Sequence, residues 1–230
     1  MFSLSADEWT AIELSLRVAF WSVLISLPFA LFFSWLLSRR DFFGKTLLDG
    51  IIHLPLVLPP VVIGYVLLVL LGRKGLIGEW LYEVFNVSVT FKWEGAAIAS
   101  AVMGFPLLVR AIRLSLESIN QGLEKAARTL GAGPIRVFLT ITLPLISPGI
   151  LTGVILAFAR SLGEFGATIT FVSNIPGETR TLPLALYAFT QVPGGDSMAL
   201  RLTVISVVLA LVSLFFSELL ARRVRAKVGN

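Results

Sequence analysis

The chain has 230 residues, of which 56% are hydrophobic and only 14% charged, and its mean hydropathy is +0.88. Soluble domains carry roughly 25% charge, so the polar surface that coats a water-facing globule is missing and an integral membrane protein is expected. The formal charge is +5, with no cysteine and a single histidine, His53, which excludes disulfides, cysteine nucleophiles and thiolate or histidine-cluster metal sites; no cofactor is expected.

Residues 1–10 are expected to form an external N-terminal segment. Asp7 and Glu8 stand where a secretory signal needs basic residues, so no cleavage is expected. A helix needs about 20 apolar residues to cross a hydrocarbon core roughly 30 Å thick. The run Val18–Leu37 supplies the first span and Gly50–Gly72 the second, provided His53 is neutral. Gly95–Val109 is shorter and is expected to continue past Arg110 by snorkelling. The fourth stretch runs from Val137 to Ala159, meets Arg160 and Glu164, and resumes at Phe165–Val172. Leu202–Ser217 is the fifth. Thr181–Gly195 is uncharged but too short to span, and it contains Pro183, Pro193 and Gly194, so it reads as a re-entrant or surface segment. An all-α polytopic protein with five transmembrane helices is expected, with six as the alternative.

Basic residues collect in three segments: Arg39, Arg40 and Lys45; Arg110, Arg113, Lys125, Arg128 and Arg136; and Arg222, Arg223, Arg225 and Lys227. Five spans place all three on one side, which by the positive-inside rule is the cytoplasm. The N-terminus is then outside and the C-terminus inside, and a sixth span would put the basic tail on the wrong side. The positive charge thus reports orientation and gives no support for a nucleic-acid partner. One membrane domain over 11–218 is expected, with a basic cytoplasmic tail at 219–230.

Pro28, Pro55, Pro59, Pro60 and Pro106 fall inside the hydrophobic runs, where each frees a backbone carbonyl and bends or breaks a helix. Packing kinks account for this, and so does a second span lining a pathway. The largest cytoplasmic loop covers about 113–146. Within it, Glu124–Leu130 is a strong helix-forming run, Gly131-Ala-Gly-Pro134 a C-cap and stop, and Pro134 the first residue of the next helix. Such a short helix either lies on the membrane surface or docks a cytosolic partner.

Several motifs fail. Gly44-Lys-Thr46 is no phosphate loop, because Arg39 occupies the place of the earlier glycine. No ATP site is therefore expected in this chain. Asn86-Val-Ser88 is a tripeptide common by chance, and Gly149-Ile-Leu-Thr-Gly153 is explained by ordinary helix packing. His53 reads as a helix-end residue. No serine–histidine–carboxylate set or paired-carboxylate site is present, so no catalytic residue is assigned.

Glu124-Lys-Ala-Ala-Arg-Thr-Leu-Gly131, nine residues, then Ile141-Thr-Leu-Pro144 resembles the "EAA" loop of ABC importer permeases. Ala126, Ala127, Gly131, Ile141, Leu143 and Pro144 are in register. The family's glutamate position holds Lys125, with Glu124 one residue earlier, so the role of that carboxylate is not carried over. Phe158-Ala-Arg-Ser-Leu-Gly-Glu-Phe-Gly-Ala167 and Thr168–Thr181, with His53–Val61, are similar to the molybdate permeases of the sulfate/molybdate branch. The resemblance covers nearly the whole chain. It implies a type I ABC importer permease of MetI-like fold in a bacterial inner membrane, acting as a homodimer. Two cytoplasmic ATP-binding subunits and an external oxyanion-binding protein would be its partners. The helix around Glu124, Lys125, Ala126, Ala127, Arg128, Leu130 and Gly131 would seat in the ATPase and pass on its closure. Sulfate and tungstate are the alternative substrates.

Arg160 and Glu164 are four residues apart and able to pair, and charges at membrane depth face protein or water. They form either a structural ion pair or, with Gly163 and Gly166 as a bend, a gate on the oxyanion path. From other classes, a membrane-embedded enzyme using Arg160, Glu164 and His53 stays open, as does a helical scaffold.

Overall fold

Residues 4–228 are described by a computed structural model, with the side chains of residues 217, 218 and 220–228 excepted, and every regular element among them is helical. The basic tail side chains Arg222, Arg223, Arg225 and Lys227 therefore lie outside the described residues.

Helix α1 (Ala6–Arg39) begins where the sequence supplies a reciprocal cap: Glu8 N donates to Ser5 Oγ at 3.3 Å and Ser5 N to Glu8 Oε2 at 2.7 Å. The helix thus starts inside the segment expected to precede the first span, and it runs straight through Pro28. The second expected span is broken. Helices α2 (Lys45–Val57) and α3 (Pro60–Leu71) meet at 116°. Leu58 is extended, as a residue before proline must be, and Pro60 opens the new helix. A short helix, α4 (Leu76–Phe85), follows outside the expected spans.

Helix α5 (Trp93–Ser118) passes Arg110 as expected and is the axis of the bundle. Of its most apolar window 61% is buried, against 11% for the last helix, so α5 is enclosed by protein while the last helix offers its apolar sides to lipid or another chain. The chain then forms α6 (Gln121–Thr129), α7 (Pro134–Val137), a π-helical turn (Phe138–Thr142) and α8 (Leu143–Leu162). After a break come α9 (Gly166–Val172), α10 (Leu182–Thr190) and α11 (Asp196–Val228). Among the described residues four helical segments are long and apolar enough to cross a membrane, and the bent α2–α3 pair is either a fifth, broken span or a re-entrant loop. The nine-residue α10 is too short to span, in agreement with the expected surface or re-entrant segment.

Lipid tails are as apolar as leucine, so membrane helices associate through close packing and hydrogen bonds instead of water exclusion. Both devices are present. Gly104 of α5 sits against Ala157 of α8, while Gly149 and Gly153 of α8 abut Ser115 and Leu108 of α5. Helix α1 is pinned to three neighbours by hydroxyls on one face. Ser15 Oγ accepts from Leu182 N at 2.6 Å, Ser22 Oγ and Ser161 Oγ are 2.7 Å apart, and Ser34 Oγ donates to Val109 O at 2.9 Å. At the N-terminal end of α1, the fully buried Glu8 takes a forked pair of bonds from Arg201 of α11 at 3.0 and 3.2 Å.

A Cβ at Gly153 would lie 2.9 Å from Leu108 Cδ1 and 3.2 Å from its carbonyl. Forcing extra volume into a packed contact costs about 1–3 kcal/mol. Gly153→Val is expected to lower the fraction of chain that stays monodisperse in detergent after heating, whereas Gly163→Ala, in open surroundings, leaves it unchanged.

Candidate functional site

Two places bring together the residues singled out in the sequence. The first is the loop between α5 and α8. Asn120 caps α6, its Oδ1 accepting from Gly122 N at 2.8 Å. The other end closes as a Schellman motif: Ala132 N donates to Ala127 O at 3.1 Å and Gly131 N to Arg128 O at 3.0 Å. Gly131 has φ +86°, a conformation that costs a Cβ-bearing residue and suits glycine. Pro134 then starts α7, as the sequence indicates.

Of the residues singled out in the sequence, Lys125, Ala126, Arg128, Leu130 and Gly131 are exposed, and Ala127 is half-buried. Leu130 is 87% exposed and Ile135 75%, an apolar pair projecting from the bundle beside basic side chains. Glu124 turns the other way. Its Oε1 accepts from Arg39 Nη2, the last residue of α1, at 3.0 Å and from Thr142 Oγ1 of the π-turn at 2.9 Å. Arg39 and Glu124 have side-chain exposures of only 12% and 16%. Glu124 therefore fastens α6 to the bundle, and the outward contacts belong to its neighbours. Sequence reasoning grouped Glu124 with the outward residues; the one-residue offset from the family's glutamate position was the signal that it differs.

The second place is where two broken helices meet. The break between α8 and α9 lies against the break between α2 and α3: a Cβ on Gly166 would come within 2.8 Å of Pro60 Cβ, and one on Gly64 within 2.8 Å of Thr170 Cβ. Glu164 sits in the break and is 98% buried, since its relative exposure is 2%. One oxygen pairs with Arg160 Nη1 at 2.6 Å and the other accepts from Ala167 N at 2.8 Å, in the first turn of α9. The expected pair is formed, although Glu164 stands beyond the last residue of α8 and not on its helical face. Gly163 is exposed with φ −93°, so the break there needs no special glycine conformation. Gly166 is where glycine is required, by close approach to Pro60.

The geometry is that of a helical membrane bundle with an exposed helical loop at one end and a cross-braced pair of breaks within it. The family model for the inner membrane component of binding-protein-dependent transport systems matches residues 23–226. The chain belongs to this family. The molybdenum transport system permease protein ModB of Escherichia coli K12 is 63% identical over 227 residues, which cover 99% of each chain. ModB of Haemophilus influenzae is 60% identical over 97% of each. The sulfate transport permease CysT of Escherichia coli K12 is 39% identical over 181 residues, 79% of this chain and 65% of its own.

Among solved structures, a bacterial ABC transporter that imports the polysaccharide alginate has a TM-score of 0.76 at 20% identity, covering 96% of this chain and 80% of that one. The inward-facing MetNI methionine ABC transporter scores 0.66 at 16% identity over 94% of each. These likenesses give the fold, that of type I ABC importer permeases, as the resemblance implied. The chain is thus a multi-pass component of the inner membrane and a transport permease subunit. Its intramembrane polar groups need no enzymatic explanation, and the enzyme and scaffold alternatives fall away.

Proposed function

We propose that this permease imports molybdate across the cytoplasmic membrane by alternating access, driven by a separate ATPase. The observation that carries the substrate is the contrast between relatives: 63% identity over full length to a molybdenum permease against 39% over part of the chain to a sulfate permease. The working unit is a homodimer with two ATP-binding subunits and an external oxyanion-binding protein. The N-terminus faces outward and the C-terminus the cytoplasm, an orientation supported by the basic residues Arg39, Arg40 and Lys45 near the α6 end. In this reading Lys125, Ala126, Ala127, Arg128, Leu130 and Gly131 present the coupling helix to the ATPase. Glu124 transfers its displacement to α1 and the π-turn. Arg160, Gly163, Glu164 and Gly166, braced on Pro60, form the hinge at which the pathway opens and closes.

The test is uptake of labelled molybdate by the permease, ATPase and binding protein reconstituted in vesicles. ATP-dependent uptake that survives a large excess of sulfate is expected. Preferential uptake of sulfate would refute the substrate assignment, and uptake without the ATPase would refute the coupling.

A further inference from the structure

Outside the two places described above, α2 and α5 flank an open cavity of about 340 Å³ lined by Asp49, His53, Arg110, Arg113, Leu114 and Glu117. The α5 residues recur at spacings of three, four and seven and the α2 residues at four, so each set occupies one helical face and the two faces oppose. The acidic groups are committed to neighbours. Asp49 Oδ1 accepts from Arg113 Nη1 at 3.0 Å and lies 3.2 Å from His53 Nδ1, and Glu117 Oε1 accepts from Arg113 Nε at 2.8 Å. His53 Nδ1 also lies 2.9 Å from Asp49 O, leaving Nε2 uncommitted. Arg113 is held rigid by two carboxylates yet keeps three N–H groups, since a guanidinium has five donors. Arg110 is exposed and has no ion-pair partner among the described residues. The result is a donor-rich cavity with two guanidiniums, one oriented and one unspent.

We infer that this cavity binds a tetrahedral oxyanion. Guanidinium donors match oxyanion geometry and form charge-assisted bonds. A water occupies about 30 Å³, so the space admits such an anion with part of its hydration shell. With neutral His53 the four charged side chains sum to zero, so occupancy depends on directed donors and is weak. A transport path requires that property, because a site must be favourable enough to enter and weak enough to leave. The inference rests on the proposed oxyanion transport and on the orientation that puts this end of α5 at the cytoplasm. Two sources present the same chemistry: the transported anion, or the phosphate of an anionic phospholipid at the membrane interface.

The chain contains no cysteine, so Leu114→Cys gives it a unique thiol on the cavity wall. In the complete transporter, the rate at which an anionic methanethiosulfonate modifies that thiol, read from the mass of this chain, reports occupancy. Vesicles of phosphatidylcholine alone are compared with vesicles containing phosphatidylglycerol. Molybdate at about ten times its dissociation constant is expected to slow modification on the order of tenfold in phosphatidylcholine, since only the empty site reacts, and Arg110→Gln to remove that protection. If phosphatidylglycerol alone slows the reaction and molybdate adds nothing, the occupant is the lipid phosphate, and Arg110→Gln again removes the protection. If neither slows it, or if protection is unchanged in Arg110→Gln, there is no oxyanion site. Arg110→Lys, which keeps the positive charge, serves if Arg110→Gln fails to assemble, and it is expected to retain only part of the protection. Uptake by the unsubstituted chain in the same vesicles separates the two ideas. Uptake without protection overturns the site alone, and protection without uptake overturns the transport reading.

Discussion

Glu164→Ala is expected to remove most of the folded chain from the membrane. The substitution strips the partner from Arg160, 2.6 Å away, and leaves Ala167 N without its acceptor where α9 begins. Breaking a buried pair from one side costs about 3–5 kcal/mol, because the surviving charge is left uncompensated, and an unmet buried donor adds about 1–3 kcal/mol. Arg160 is 27% exposed at its side chain, which places the loss toward the lower end. Replacing both members by methionine is the informative companion, since exchanging a buried pair for apolar residues of similar volume is often neutral. The double variant is expected to restore the level of folded chain, measured by fluorescence-detected size exclusion, while molybdate uptake stays abolished. Recovery of uptake together with folding would make the pair structural and remove it from the pathway. Glu164 both caps α9 and neutralises Arg160, so the two readings of this pair separate only when folding and transport are measured side by side.

The break between α2 and α3 was legible. Pro59-Pro60 forces the chain to turn between α2 and α3 whatever surrounds it, because one proline lacks a donor and the other restricts the residue before it. The place of the second break was legible, since Arg160 and Glu164 interrupt the apolar run and Gly163 and Gly166 offer a bend. What was not legible is how it is held, because Gly166 meeting Pro60 and a carboxylate capping the new helix are tertiary facts. The start of α1 could have been read. Ser5-Ala-Asp-Glu8 is a capping box in plain sight, and recognising it moves the helix start from the first uncharged run back to Ala6. Its second use could not, because Arg201, which holds Glu8, is 193 residues away.

The serines of α1 belong between these extremes. Ser15, Ser22, Ser26 and Ser34 recur at helical spacing within an apolar run and all are buried, a pattern that indicates a polar seam on one face although not its partners. The π-turn gave no local signal. Phe138-Leu-Thr-Ile-Thr142 reads as ordinary helix, and its extra residue is stabilised from outside by the bond from Thr142 to Glu124. Composition thus marked the apolar segments, local chemistry marked caps and proline breaks, and contacts between distant segments set the geometry of both sites.

The loop proposed to couple to the ATPase offers the second large effect, at a single exposed residue. Gly131→Val is expected to leave the amount of permease in the membrane unchanged while reducing ATP-driven molybdate uptake on the order of tenfold or more. Nothing lies within 4 Å of the position a Cβ would take, so no packing is lost; the difficulty is φ +86° alone. Holding a residue in an unfavourable backbone region costs about 1–3 kcal/mol, and β-branched valine is a poor occupant. In an exposed loop the strain is relieved by local rearrangement, and what is lost is the Schellman closure that joins α6 to α7. Only two further residues separate Gly131 from Pro134, and the π-turn follows at Phe138, so a change in direction there redirects the whole connection into α8. Glu124 keeps the base of α6 tied to Arg39 and Thr142, so the far end swings about a fixed point and the exposed Leu130 moves most. Gly131→Asn, which tolerates the left-handed region, is expected to transport nearly as well as the parent, and Gly131→Ala to lie between the asparagine and valine variants. Transport and ATP hydrolysis measured on the same reconstituted complexes decide the matter. Full uptake by Gly131→Val would mean that the direction of the loop is not what carries the motion, and the coupling role assigned to α6 would have to be given up.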